Sequence, residues 1–151
     1  KIITKNPMLE DILSNKEEVL NALKNKGDKS IILIAMVNAT FPFAFDTLNL
    51  FSTYFQVQEY VSWDLIQKEI KNKYGSNRST ENALYSVIPM FIESGILIRT
   101  KPGLYQIKNE LFIHSQIVYN LYLKSYNINN PIISNTDIVA YEPYVSLISL
   151  Y

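Results

Sequence analysis

Residues 77–107, "NRSTENALYSVIPMFIESGILIRTKPGLYQI", decide how the chain is read. A polar, Ser/Thr-bearing start leads into an amphipathic run, the run stops at Ser94-Gly95, and two short alternating segments flank Lys101-Pro102-Gly103. At about 100° per residue, Ala83, Leu84, Val87, Ile88, Phe91 and Ile92 gather on one side of a helix starting near Thr80 and ending near Glu93. Asn82, Tyr85, Ser86, Pro89 and Glu93 take the other side, with Arg78 at the leading end. Pro89 lacks the N–H that would bond four residues back, a cost of about 3 kcal/mol in a helix interior, so a kink is expected. "ILIRT" and "LYQIK" then alternate with period two about a Pro-Gly turn, the pattern of a β-hairpin, with Ile96, Ile98, Tyr105 and Ile107 available to the core or to one another.

Working outward, "VSWDLIQKEIKNKYG" reads as the preceding helix. Ser62 is its cap, Asp64 lies in the first turn and Lys71 and Lys73 in the last, where the helix dipole favours each sign, and Gly75 is its stop. Trp63, Ile66, Ile70 and Tyr74 share a face, and the polar link "SNRS" joins the two helices. Upstream, "SIILIAMVNAT" from Ser30 is apolar nearly all round, as a buried central helix would be. Pro42 breaks it and biases Phe41 out of the helical region. A second core helix over roughly 42–56 carries Phe45, Leu48, Phe51, Ser52 and Phe55. Nearer the start, "NKEEVLNALKNKG" suggests a helix with Asn15 and Glu18 as a capping box, Val19, Leu20 and Leu23 as a narrow apolar stripe, and Gly27 as the stop. Downstream, residues 110–126 look helical, with Leu111, Val118, Leu121 and Tyr122 as core contacts. The last 25 residues are broken by Asn and Pro but too apolar for a solvated tail, so they are expected to pack.

A chain of 151 residues with 48% hydrophobic composition suits one domain. The expected divisions are an N-terminal helix or arm over 1–29, core helices and the helix–helix–hairpin unit over 30–108, and a helical and irregular extension over 109–151. The fold class is mainly α. Abundant Ile, Asn, Lys and Tyr, all with AT-rich codons, report genome composition before function. Formal net charge is zero, so attraction to a polyanion must be local. There are no cysteines, which removes disulfides and thiolate metal sites and fits a reducing, cytoplasmic compartment. Residues 31–45 carry no charge, but a membrane span needs about 20 apolar residues, and Asn38, Thr40 and Pro42 interrupt this run. It reads as buried helix, no membrane partner is expected, and nothing near Lys1 resembles a signal peptide.

Helix, short turn, helix, hairpin is the order of a winged helix-turn-helix, in which the second helix enters the major groove of duplex DNA and the hairpin reaches the flanking backbone. That use needs short polar donors at the entering helix's N-terminal end, cations on the wing and an apolar back face. Arg78 can fork onto guanine or phosphate, Ser79 and Thr80 can donate to phosphate, and Asn82 can pair with adenine. Tyr85 and Ser86 continue the groove-facing side of a helix spanning 78–93. Arg99 and Lys101 sit on a wing over 96–108, and Lys68, Lys71 and Lys73 can support backbone contact. Between residues 65 and 108 there are seven Lys or Arg against three Glu, a local excess of +4. Ser79 and Thr80 also suit an ordinary helix cap, and the cations an ordinary solvated face. A protein-docking module of the same fold therefore stands beside the DNA-binding reading.

The run "MVNATFPFAFDTLNLFSTYF", then "VSWDLIQKEI", then "NRSTENALYSVIPMFIESGIL" resembles the BrxA family, small proteins of bacterial BREX phage-defence systems. Phe41-Pro42, Ser79-Thr80 and Gly95-Ile96-Leu97 carry the resemblance, which covers about residues 30–108. It implies a non-enzymatic, DNA-binding accessory factor in the bacterial cytoplasm, with double-stranded DNA and other defence-system proteins as partners.

Catalysis fits the residues poorly. Asp64 with Glu69-Ile70-Lys71 has the spacing of a metal-dependent nuclease, yet both acids fall on one predicted helix about 140° apart and cannot converge on a metal. The single histidine, His114, has no carboxylate or nucleophile near it in sequence and reads as packing beside Phe112 or facing solvent. Asp137 and Glu142 lack a third partner, and no glycine-rich phosphate loop exists. No catalytic residue, metal or cofactor is therefore expected. Tyr119, Tyr122, Tyr126, Tyr141, Tyr144 and Tyr151 suit either the core or an interface, which leaves a homodimer or a protein adaptor as the competing expectation.

Overall fold

The computed structural model describes residues 6–107, 111–131 and 139–150. It is mainly helical, with seven α-helices and five short strands among those residues. In order these are α1 (Leu9–Ser14), α2 (Lys16–Ala22), α3 (Lys26–Thr40), α4 (Pro42–Phe55), β1 (Val61–Ser62), α5 (Trp63–Tyr74), α6 (Arg78–Ser94), β2 (Leu97–Lys101), β3 (Leu104–Ile107), β4 (Leu111–Ile113), α7 (Gln116–Asn129) and β5 (Ile148–Leu150). No single helix among the described residues is long and apolar enough to cross a membrane.

The chain divides into two compact units, residues 1–45 with 110–151, and residues 46–109. Length suggested an undivided body with α3 grouped with the central helices. Instead α3 packs chiefly along α7, and the polypeptide passes from one unit to the other within α4.

In the first unit the two halves of the sequence are joined by polar bonds as well as by apolar packing. Asn6 donates to the Met36 carbonyl (2.7 Å) and the Thr40 hydroxyl (2.8 Å), and Lys124 pairs with Asp11. Buried Asp28 accepts from the His114 backbone N–H (3.0 Å). A buried tyrosine cluster forms the centre. The Tyr122 and Tyr144 rings stack in parallel with centroids 4.5 Å apart, and the Tyr144 hydroxyl bridges the Asn38 amide (2.9 Å) and the Ser125 hydroxyl (2.7 Å). Ser125 in turn donates to the Tyr122 carbonyl, so the Tyr144 proton points to Ser125 and the bonds run as a chain. Burial raises both phenols, Tyr144 to about 12. The C-terminal stretch does pack, as its composition suggests: Val139, Tyr144, Val145, Leu147 and Ile148 are buried.

Asn15 does not form a capping box. Its side chain turns back to the Asp11 carbonyl (2.8 Å) and closes α1 instead. Gly27 is not a stop but lies in the first turn of α3, because Asn25 already caps that helix by accepting from Asp28 N (3.0 Å). Leu20 is exposed, and the buried stripe of α2 is Val19 and Ala22. Residues 111–113 are strand, paired parallel with β5, so α7 begins only at Gln116. Three residues are too few to display an alternation, and their partner lies far along the chain.

The second unit is built on a three-stranded antiparallel sheet of order β1-β3-β2. The helix that carries the chain into it, α4, opens at Pro42 in the first unit after an extended Phe41, as the proline rule requires. Leu48, Phe51, Ile66, Ile70, Leu84, Ile88, Phe91, Ile96 and Leu97 are buried. The Tyr105 ring meets Phe51 edge-on at 5.6 Å. Ser62 caps α5 as expected, accepting from Leu65 N (3.2 Å), and Gly75 follows that helix at φ +103°. The hairpin carries a register shift between Arg99 and Lys101, and Gly103 turns it at φ +74°.

Candidate functional site

The N-terminus of α6 is set by Asn77, whose side-chain oxygen accepts from Thr80 N (2.9 Å) and from the Thr80 hydroxyl (3.3 Å). The cap therefore precedes Ser79 and Thr80, and the helix begins at Arg78. It continues through Pro89 to Ser94, and Gly95 ends it in the left-handed region at φ +88°. Pro89 has no N–H, so the Tyr85 carbonyl lacks its partner one turn on.

Of the residues assigned to the groove-facing side, Arg78, Ser79, Asn82, Tyr85 and Ser86 are exposed on α6. The Arg78, Ser79 and Asn82 side chains bond to no other described residue. Ser86 donates to the Asn82 carbonyl one turn back (3.2 Å). Thr80 is the correction: it is 5% exposed and its hydroxyl is occupied by Asn77, so it cannot reach a ligand. The helical period carries this signal, since Thr80 lies four residues before buried Leu84 and eight before buried Ile88.

Arg99 and Lys101 are exposed on β2, and Lys68 is exposed on α5. Lys71 and Lys73 are less available than their positions suggest. Lys71 faces Glu81 at 3.9 Å, and Lys73 pairs with Asp46 at 2.8 Å, a carboxylate that also accepts from the Tyr74 hydroxyl. Burial and then that carboxylate raise the Tyr74 phenol. Counted over residues 46–109, seven cations face six acids. The local excess seen over 65–108 thus shrinks to +1 for the unit, and four exposed, unpaired cations remain in the assigned set: Lys68, Arg78, Arg99 and Lys101.

The exposed line of α6 and the hairpin border one cavity of about 540 Å³, lined by Trp63, Tyr85, Ile88, Pro89, Ile92, Glu93, Arg99, Gly103 and Tyr105. Its geometry follows from two long-range contacts. Trp63 N donates to the Gly103 carbonyl (2.8 Å), which ties the first residue of α5 to the hairpin turn, and the Trp63 ring stacks on Tyr85 with centroids 4.9 Å apart at 26°. Burial raises the Tyr105 phenol, while the neighbouring Arg99 charge opposes the rise.

No protein-family model, curated protein or solved structure matches the chain. The functional reading therefore rests on this arrangement of residues. Among the described residues, no group of three or more His, Asp or Glu side chains is placed to hold a metal ion. Asp64 and Glu69 both lie on α5, and His114 is exposed on the segment after β4. Glu142 is half-buried beside Tyr126, and Asp137 and Tyr151 lie outside the described residues.

Proposed function

We propose that residues 46–109 form a winged helix-turn-helix that binds double-stranded DNA without catalysis, α6 entering the groove and the β2–β3 hairpin acting as the wing. One observation carries the reading: Tyr85 on the exposed line of α6 and Arg99 on the hairpin border the same cavity. The polar helix face and the wing are thus neighbours on one surface, as DNA contact by both requires. Strand β1, paired to β3 ahead of α5, supports the same architecture. Arg78 and Asn82 are the base readers, Ser79, Tyr85 and Ser86 line the groove side, and Arg99, Lys101 and Lys68 contact the backbone. Lys71 and Lys73, held in ion pairs, contribute less.

The resemblance to the BrxA family adds the setting to this proposal: an accessory factor of a bacterial phage-defence system, working in the cytoplasm with other defence proteins. A protein adaptor built on the C-terminal tyrosines is the weaker reading. Tyr122, Tyr126 and Tyr144 are core residues, and among the described tyrosines of that segment only Tyr141, at 87%, is largely exposed. The deciding experiment is a titration of labelled duplex DNA with the whole chain at several salt concentrations. Binding that weakens steeply with salt is expected. Absence of binding at low salt overturns the proposal.

A further inference from the structure

Besides Tyr85 and Arg99, the cavity between α6 and the hairpin has features that contact with an intact duplex does not use. Its volume of about 540 Å³ lies in the range of small-ligand sites, roughly 300–1,000 Å³. Two aromatic rings, Trp63 and Tyr85, lie against each other at its edge, and Tyr85 is 58% exposed, so a planar group can extend the stack. Glu93 supplies an acceptor and Arg99 a cation, and neither is ion-paired within the described residues. Tyr105 adds a further polar group. It lines the cavity with its ring buried, its phenol bonds to no described residue, and its hydroxyl oxygen still reaches solvent, so the O–H is free to donate to a ligand atom.

We infer that this cavity takes a single unpaired nucleobase, stacked on the Trp63–Tyr85 pair, with Glu93 and the Tyr105 phenol reading its edge and Arg99 holding its phosphate. The inference rests on the DNA-binding reading and deepens it: the unit prefers DNA offering an unpaired or extruded nucleotide. Aromatic faces tolerate every base, because each has a π-face. The carboxylate does not. Glu93 accepts one hydrogen bond from the amine of adenine or cytosine or from the ring N3–H of thymine, whereas guanine offers it two adjacent donors, N1–H and the exocyclic amine. A preference for guanine follows.

Trp63 is the only tryptophan, so its fluorescence reports occupancy directly. The whole chain is titrated with short single-stranded oligonucleotides of each base and with an abasic strand of equal length, while binding of a labelled duplex is followed separately by anisotropy. The expected result is quenching by the base-bearing strands, tightest for guanine, and none by the abasic strand. Tyr105→Phe should weaken the single-strand interaction about tenfold, the factor that one hydrogen bond of typical strength represents, and leave duplex affinity unchanged. Glu93→Gln, at an exposed position that leaves the core intact, should erase the preference for guanine. Equal quenching by the abasic strand, unchanged affinity in Tyr105→Phe, or duplex binding with no response of Trp63 to any single strand overturns the cavity inference while the duplex reading stands. Failure of every oligonucleotide to bind removes both.

Discussion

The salt dependence of DNA binding can be worked from the exposed cations. Lys68, Arg78, Arg99 and Lys101 are exposed and unpaired, whereas Lys71 and Lys73 face Glu81 and Asp46. Each neutralised phosphate of B-DNA contributes about −0.9 to the slope of log K against log salt, so four contacts give about −3.6. Between about 50 and 200 mM salt that slope weakens binding roughly 150-fold. Removing the wing cations by Arg99→Ala with Lys101→Ala leaves two contacts, a slope of about −1.8 and a loss of only about 12-fold over the same range. Lys73→Ala should barely change the slope, because Asp46 already compensates that charge at 2.8 Å. Fluorescence anisotropy of a labelled duplex, titrated with wild type and each variant at four salt concentrations, measures all three slopes. A slope near zero for the wild type, or an unchanged slope in the double variant, would refute the assignment of the hairpin as a backbone-contacting wing. A loss in Lys73→Ala of half that in the double variant, the share of one free cation, would show that the ion pair opens on binding.

Asn77→Ala should destabilise the protein by about 1 kcal/mol or more, the usual cost of a lost cap, since Thr80 also loses its hydroxyl partner. Ser79→Ala should stay within about 0.5 kcal/mol, and denaturant unfolding followed by Trp63 fluorescence compares the two. Equal costs would put the cap at the wrong residue. Tyr144 has a folded pKa raised from 10.0 to about 12, and Tyr122 is raised in the same direction. The folded state therefore holds protons that the unfolded chain releases. Stability should be fully present below pH 10 and fall as pH rises towards about 12, and Tyr144→Phe should flatten that fall in urea unfolding across the range. Gly103→Ala should cost about 1–2 kcal/mol from its positive φ alone, because an added Cβ would meet only the Trp63 Cβ at an ordinary 4.0 Å. Thermal unfolding checks this, and a neutral effect would mean the turn adopts another geometry.

Much of residues 42–109 was legible because its signals are local. The Ser62 cap, the Pro42 break, the Gly75 and Gly95 stops, the Pro-Gly hairpin turn and the apolar face of α6 each depend on residues within one turn of helix or one strand pairing. The exposed side of α6 followed from the same period. Thr80 was misplaced because a hydroxyl at a helix start can donate to phosphate, and the competing signal, its spacing from Leu84, had to outweigh that. Asn15 and Gly27 failed for a related reason: neighbouring polar residues, Asp11 and Asn25, offered alternative local partners that the pattern does not rank.

By itself, then, the sequence determined the helix-rich class, the breaks, the hairpin and which face of α6 is polar, since backbone sterics and helical periodicity act over a few residues. Tertiary structure alone decided the rest. It paired two-residue β1 with β3, set β4 beside β5 from the far end of the chain, tied Lys71 and Lys73 to acids, buried Tyr122, Tyr126 and Tyr144, and left the Tyr105 phenol facing a cavity. Those outcomes depend on which distant groups meet, and that is fixed by the register and packing of whole elements, which no short window of residues encodes.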